Sequence, residues 1–134
     1  MRERYMRFGD FIKKKRLADP RELTLSDMSK QLGISLSFLS DIENRRRKPF
    51  DADKMVIFAD FLNLSEEDRA LLYDLASRDN GAVPQDIEDL LMYEDIGDMA
   101  RFALRQTQAG NATEEDWKQL IRKIEENRRT RENS

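Results

Sequence analysis

The sequence of 134 residues contains no cysteine and no histidine. Without cysteine there is no disulfide framework, no thiolate nucleophile and no cysteine-ligated zinc, a composition compatible with a reducing compartment. Without histidine as well, the usual general base near neutral pH and the commonest metal ligand are missing, leaving carboxylates, Lys, Tyr and hydroxyls as the groups available for chemistry. The expectation is a protein that is not an enzyme and that carries neither metal nor cofactor. Five glycines and three prolines are too few for many tight turns, and no stretch alternates apolar and polar residues for a strand's length, so the fold class expected is all-α. No apolar run approaches the roughly 20 residues that span a bilayer. The opening Met1-Arg-Glu-Arg-Tyr5 lacks the apolar core of a signal peptide. These absences point to a cytoplasmic location, nucleoid-associated if DNA is the partner, with no membrane partner.

What the sequence has in quantity is charge, 38% of its residues against 39% hydrophobic, which suits helices with a buried stripe and ionic outer faces. The net charge of -3 hides a division along the chain. Residues 1–50 hold 13 Lys or Arg against 7 Asp or Glu, whereas residues 51–134 hold 11 against 20. A basic N-terminal half can meet phosphates while an acidic remainder meets solvent, another subunit or a basic protein.

Apolar periodicity places a first amphipathic helix over Phe8 to Ala18, with Phe8, Phe11, Ile12 and Leu17 expected on its inner side. Thr24 caps a second helix carrying Leu25, Met28 and Leu32, with Asp27 as a capping-box acid, and Gly33 closes it in the left-handed conformation. Ser35 caps a third, Leu36 to about Asn44, with Leu39 and Ile42 inward. A basic loop, Arg45-Arg-Arg-Lys48, and Pro49 lead to a fourth helix from Asp51 to Leu62 and a fifth from Ser65 to about Arg78. Val56, Ile57 and Phe61 extend the apolar surface of the fourth helix beyond one face, so either the C-terminal lobe or a dimer partner should cover it. Asp79-Asn-Gly-Ala-Val-Pro84 reads as a linker. Past it, Ile87, Leu90 and Leu91 mark a sixth helix, Ile96, Met99, Ala100, Ala103 and Leu104 a seventh, and Thr113 caps an eighth bearing Trp117, Leu120, Ile121 and Ile124. The expected organisation is a domain over residues 1–78, a helical lobe over 84–126 and a disordered polar tail over 127–134.

Helix, glycine turn, short helix and basic loop form the arrangement that lays one helix in the DNA major groove. The stretch Leu25-Ser-Asp-Met-Ser-Lys-Gln-Leu-Gly-Ile-Ser-Leu-Ser-Phe-Leu-Ser-Asp-Ile-Glu-Asn44, followed by arginines and Pro49, resembles the signature of XRE or Cro/CI-type helix-turn-helix regulators. The likeness runs from about Phe8 to Leu64 and includes Phe58-Ala59 and Leu62-x-Leu64. It implies a five-helix, lambda-repressor-like domain followed by a small helical C-terminal lobe. Three departures stand out: Ser29 where the family most often has Ala, Arg45 where it usually has Gly, and a slightly long first turn, Leu17 to Leu23. Since Arg lacks glycine's freedom at positive φ, the chain is expected to leave the third helix in a different direction.

Docking as in relatives would aim Leu36, Ser37, Ser40 and Asp41 at base edges, with Asp41 accepting from cytosine N4 and Leu36 touching a thymine methyl. Phosphate contacts are expected from Thr24, Leu25, Ser35, Phe38, Asn44, Arg45, Arg46, Arg47 and Lys48. Arg16 and Glu43 occupy positions that pair in some relatives. Arg2, Arg4 and Arg7 read as a DNA-seeking arm or a frayed end, and the acidic clusters at 86–89, 94–95 and 114–116 as helix starts and outer faces. The function expected is a repressor or regulator binding a pseudo-palindromic operator in double-stranded DNA as a homodimer. The alternatives are an antitoxin that represses its own operon and binds a toxin through the acidic lobe, or a protein-interaction module that binds no operator.

Overall fold

A computed structural model of the chain describes residues 6–133, in which all regular structure is helical: α1 (Phe8–Ala18), α2 (Leu25–Leu32), α3 (Leu36–Glu43), α4 (Ala52–Phe61), α5 (Glu66–Asn80), α6 (Gln85–Tyr93), α7 (Ile96–Gln108) and α8 (Glu114–Glu132). The helices fall into two compact units, Met1–Pro84 and Gln85–Ser134. Helix α5 runs on to Asn80, two residues past the expected Arg78, and stops at Gly81, whose φ of 69° only glycine adopts without steric cost. Arg2 and Arg4 lie outside the described residues.

In the first unit, one core gathers side chains from all five helices, including Phe8, Phe11 and Ile12 of α1, Met28 and Leu32 of α2, Leu39 and Ile42 of α3, Met55, Phe58 and Ala59 of α4, and Leu72 and Leu75 of α5. Capping decides where the helices start. Thr24, Ser35, Asp51 and Ser65 each accept from the backbone amide three residues on, in α2, α3, α4 and α5. Phe50 closes the core, packed edge-on against Phe8 with ring centroids 5.1 Å apart and tilted against Phe58 at 6.0 Å. Among the described residues, no buried side-chain nitrogen or oxygen lacks a hydrogen-bond partner, as a well-ordered interior requires.

The structure corrects the inner face of α1. Leu17 is 62% exposed, and Arg16 is buried in its place. The reason is angular: residues 8, 11 and 12 lie on one side of a 3.6-residue spiral, and nine residues on from Phe8 the chain points the opposite way.

Gly9 sets how close α1 comes to the end of α3. A Cβ on Gly9 would fall inside contact with the Ile42 carbonyl, 3.1 Å from Ile42 C and 3.2 Å from Glu43 Cα. Because these obstacles are backbone, neither side chain rotation nor local repacking relieves them. Gly9→Ala should therefore destabilise the first unit by about 1–3 kcal/mol through overpacking. A denaturant midpoint equal to that of the parent protein would show that α1 has slack against α3.

In the second unit, α6 and α7 pack on each other, and Gly97 gives the close approach, its missing Cβ leaving room for the Leu91 and Leu90 carbonyls. Arg101 donates to the Leu91 carbonyl and pairs with Asp98. Helix α8 extends six residues past the expected limit of the lobe, to Glu132, so most of the tail expected to be disordered is helical. Glu and Arg are strong helix formers, no Gly or Pro interrupts 125–132, and Arg129 and Arg131 sit favourably in the last turn. Polarity alone does not make a segment disordered.

Candidate DNA interface

Helices α2 and α3 meet across the turn Gly33-Ile34-Ser35. Gly33 takes φ 69°, its amide donating to the Lys30 and Ser29 carbonyls, and Ile34 packs against the core. Ser29, in place of alanine, fits because its hydroxyl donates to the Ser26 carbonyl at 3.0 Å within its own helix. Thr24 and Asp27 form a reciprocal capping box, Thr24 Oγ1 accepting from the Asp27 amide at 3.0 Å and Asp27 Oδ2 from the Thr24 amide at 2.9 Å. Hydrogen bonding to its carboxyl from the Thr24 amide, and then from the Thr24 side chain, holds Asp27 below its ordinary pKa. Helix geometry leaves the amides of Leu25 and Ser26 directed outward past the helix start, where an anion can meet them.

On α3, Leu39 and Ile42 are buried at 0% and 1% exposure, and Glu43 is buried beside them. That fixes the rotation of the helix. Leu36 is left 52% exposed, Ser37 exposed, and Ser40 and Asp41 half-buried at its margin. The four positions expected to face bases thus lie on the outward flank. Ser35 Oγ accepts from the Phe38 amide at 3.1 Å, so neither that hydroxyl nor that amide is idle, and the Phe38 ring lies under the Arg47 guanidinium at 4.6 Å. Phe38 therefore positions Arg47. Asn44 Nδ2 turns back to the Ser40 carbonyl at 2.9 Å, tying the end of α3 to its own backbone.

The Arg16–Glu43 pair holds α3 to α1. Arg16 Nε and Nη2 donate to the two Glu43 oxygens, each at 2.9 Å, and Nη1 donates to the Leu23 carbonyl at 2.8 Å. Both side chains are more than 90% buried. The Glu43 carboxylate raises the Arg16 pKa further above its already high value. One guanidinium thus fastens the end of the outward helix and the approach to α2 together.

Arg45 departs from the sequence-based expectation. It adopts φ 64°, the left-handed conformation that glycine would take, so the chain does not leave α3 along a different path. The cost of a non-glycine residue there is about 1 kcal/mol, set against a two-bond ion pair from Arg45 Nε and Nη2 to Asp10 at 3.0 and 2.5 Å. Asp10 is a residue the sequence reading did not connect to the site; its position in the first turn of α1 gave no sign of a partner 35 residues on. Arg45 is consequently engaged within the protein. Arg46 and Arg47, 72% and 50% exposed, have only loose partners in the two Asp41 oxygens, at 4.0 and 3.8 Å, and Lys48 is exposed. These three cations, with Arg7 and Arg45, line a cavity of about 230 Å³ beside the end of α3. Arg7 pairs with Asp79 at 3.3 Å, so it is docked against α5 rather than extended as an arm.

Hydrogen bonding from the Arg45 side chain, ahead of the Arg7 amide, lowers the Asp10 carboxyl from 3.8. A folded-state pKa below the unfolded one means the stabilisation is complete above that unfolded value and disappears as the pH falls through the folded one. Comparing Asp10→Asn with the parent protein, the stability difference should be about 1 kcal/mol at pH 7, given the partial exposure of the pair. It should shrink as the pH falls below 3.8 and vanish once Asp10 is protonated in the folded protein as well; a difference that persists in that acid limit would assign the effect to packing.

No helix among the described residues is long and apolar enough to cross a membrane, and no group of three or more Asp or Glu among them is placed to hold a metal ion. Neither a curated protein nor a solved structure matches the chain. The sequence model of the family described as Helix-turn-helix, HTH_3, matches residues 12–68, which takes in the body of α1, all of α2, α3 and α4, and the start of α5. A buried α3 stem, an open α3 flank, a glycine turn and a cationic loop coincide within that match. The match makes residues 12–68 an XRE-type helix-turn-helix domain, a DNA-binding module of transcriptional regulators, spanning a little over two fifths of the chain.

Proposed function

We propose that the chain is a repressor that binds a pseudo-palindromic operator as a homodimer, with α3 in the major groove and α2 across the backbone. The observation that carries this reading is the orientation of α3. Leu39, Ile42 and Glu43 lock one side inward, so Leu36, Ser37, Ser40 and Asp41 are presented together with Arg46, Arg47 and Lys48 beside them. Leu36 and the two serines read base edges, and Asp41 accepts from cytosine N4. Arg46, Arg47 and Lys48 reach phosphates, as do the first-turn amides near Thr24, Leu25 and Ser35. Arg45, Phe38 and Asn44 support this surface from within the protein, through Asp10, Arg47 and the α3 backbone respectively. A single head of this size covers too little DNA for tight selectivity, and two-fold pairing doubles the contact.

Asp41 has two roles in this scheme. Free, it neutralises Arg46 and Arg47; bound, it releases them to phosphates and turns to a base. Duplexes selected from a random pool should share two inverted half-sites. Asp41→Ala should then bind unrelated sequences more tightly, because a like charge near phosphate is gone, while the preference at one base pair falls by about 1–3 kcal/mol. An unchanged preference removes Asp41 from the reading set. Absence of duplex binding even at low salt would instead favour a protein-interaction module.

A further inference from the structure

None of the residues of α8 is buried, yet Trp117, Leu120, Ile121 and Ile124 recur at helical spacing on one face, the last three 47%, 51% and 43% exposed. In proteins most helical stability comes from packing an amphipathic face, and this helix of 19 residues has that face uncovered. Within its own unit, α8 is tethered at its start, where Trp117 Nε1 donates to Thr107 Oγ1 at 2.8 Å. The stripe beyond remains open.

Charge along the helix indicates what covers it. From Thr113 to Ile121 three carboxylates stand against one lysine, whereas from Arg122 to Glu132 five cations stand against three carboxylates. The first part is net negative and the second net positive. Two copies laid antiparallel put each acidic part beside the other's basic part, while a parallel pair would set like charge against like. A basic protein would match only the first part. We infer that the open face of α8 is the dimer interface of this protein, covered by α8 of a second copy running antiparallel about Ile121. This rests on the homodimer reading above and gives it a location. Such an interface is isologous: Ile121 meets its own counterpart, and Glu114 lies opposite Arg128, each seven residues from that centre.

The full chain should sediment at twice its 15.8 kDa mass. Ile121→Glu should dissociate it, weakening self-association at least a hundredfold, whereas Ile57→Glu on the exposed face of α4 should leave it dimeric. The absence of cysteine permits a geometric test that does not depend on destabilising the helix. Under mild oxidation Ile121→Cys should form a covalent dimer with itself, and Glu114→Cys should cross-link to Arg128→Cys in a mixed sample but not to itself. The inference is overturned by a monomeric parent protein, by dissociation through Ile57→Glu and not Ile121→Glu, or by self-linking of Glu114→Cys. It is also overturned by a one-to-one complex with a basic protein in which Ile121 is the contact. A monomer that still selects one duplex sequence would sink this interface and leave the regulator; a dimer that binds no duplex would do the reverse.

Discussion

Replacing Glu43 with leucine should cost the first unit about 3–5 kcal/mol, a large part of the 5–15 kcal/mol that keeps a domain folded. The loss arises because Arg16 keeps its charge. With both carboxylate bonds at 2.9 Å removed, the guanidinium is left in the interior holding the Leu23 carbonyl. Arg16→Met should destabilise comparably, leaving the Glu43 carboxylate buried without its cation. The double variant should recover most of either loss, since two apolar side chains of similar volume need no solvation. Urea denaturation of the four proteins supplies the test through its coupling energy. Single-variant losses below about 1 kcal/mol, ordinary for an exposed pair, would mean that water reaches the site. The pair joins α1 to the end of α3, so the single variants should also weaken duplex binding at temperatures where they remain folded, by loosening the helix that reads bases.

Removing three charges together, with Arg46→Gln, Arg47→Gln and Lys48→Gln, should reduce duplex affinity by orders of magnitude and do so alike for operator and unrelated sequence. Each phosphate contact contributes about 0.9 to the slope of log affinity against log salt, so the slope should shrink by about 2.7. Both arginines are at least half exposed and their Asp41 contacts are near 4 Å, so the fold itself should lose less than about 1 kcal/mol. Arg45→Gln should behave differently. Its guanidinium is committed to Asp10, and its loss should appear mainly as reduced stability with little change in salt slope. Fluorescence titrations at several salt concentrations separate the two outcomes. An equal slope change on Arg45→Gln would mean that the ion pair opens when DNA binds.

Much of the helix-turn-helix was legible in the sequence because local chemistry specifies it. Thr24, Asp27, Gly33 and Ser35 act on amides and carbonyls within a few residues of themselves, so their capping and turn roles need no knowledge of the rest of the molecule. The apolar spacing of Met28, Leu32, Leu39 and Ile42 likewise fixes which flank of α3 turns outward. Apart from Arg16 and Glu43, whose pairing the family resemblance implied, partnerships across the chain could not be read. Asp10 and Arg45, Arg7 and Asp79, and Lys15 and Asp68, the last pair 2.7 Å apart, are charged residues among many, and nothing local distinguishes a paired aspartate from a solvated one. The left-handed backbone at Arg45 lies beyond local reading for the same reason: its strain is offset by a distant carboxylate. The polar end of α8 differs from the disorder expected of it because Glu and Arg without Gly or Pro favour helix.

The sequence by itself determined the all-helical class, the position of the glycine turn and the inward and outward sides of α3, because capping, left-handed closure and a 3.6-residue period act over one or two turns. Only the tertiary structure decided that Arg16 lies inside, that Gly9 must be glycine and that Arg46, Arg47 and Lys48 remain available for phosphates while Arg45 does not. Those outcomes depend on which backbone and which carboxylate arrive from tens of residues away, and folding alone brings them there.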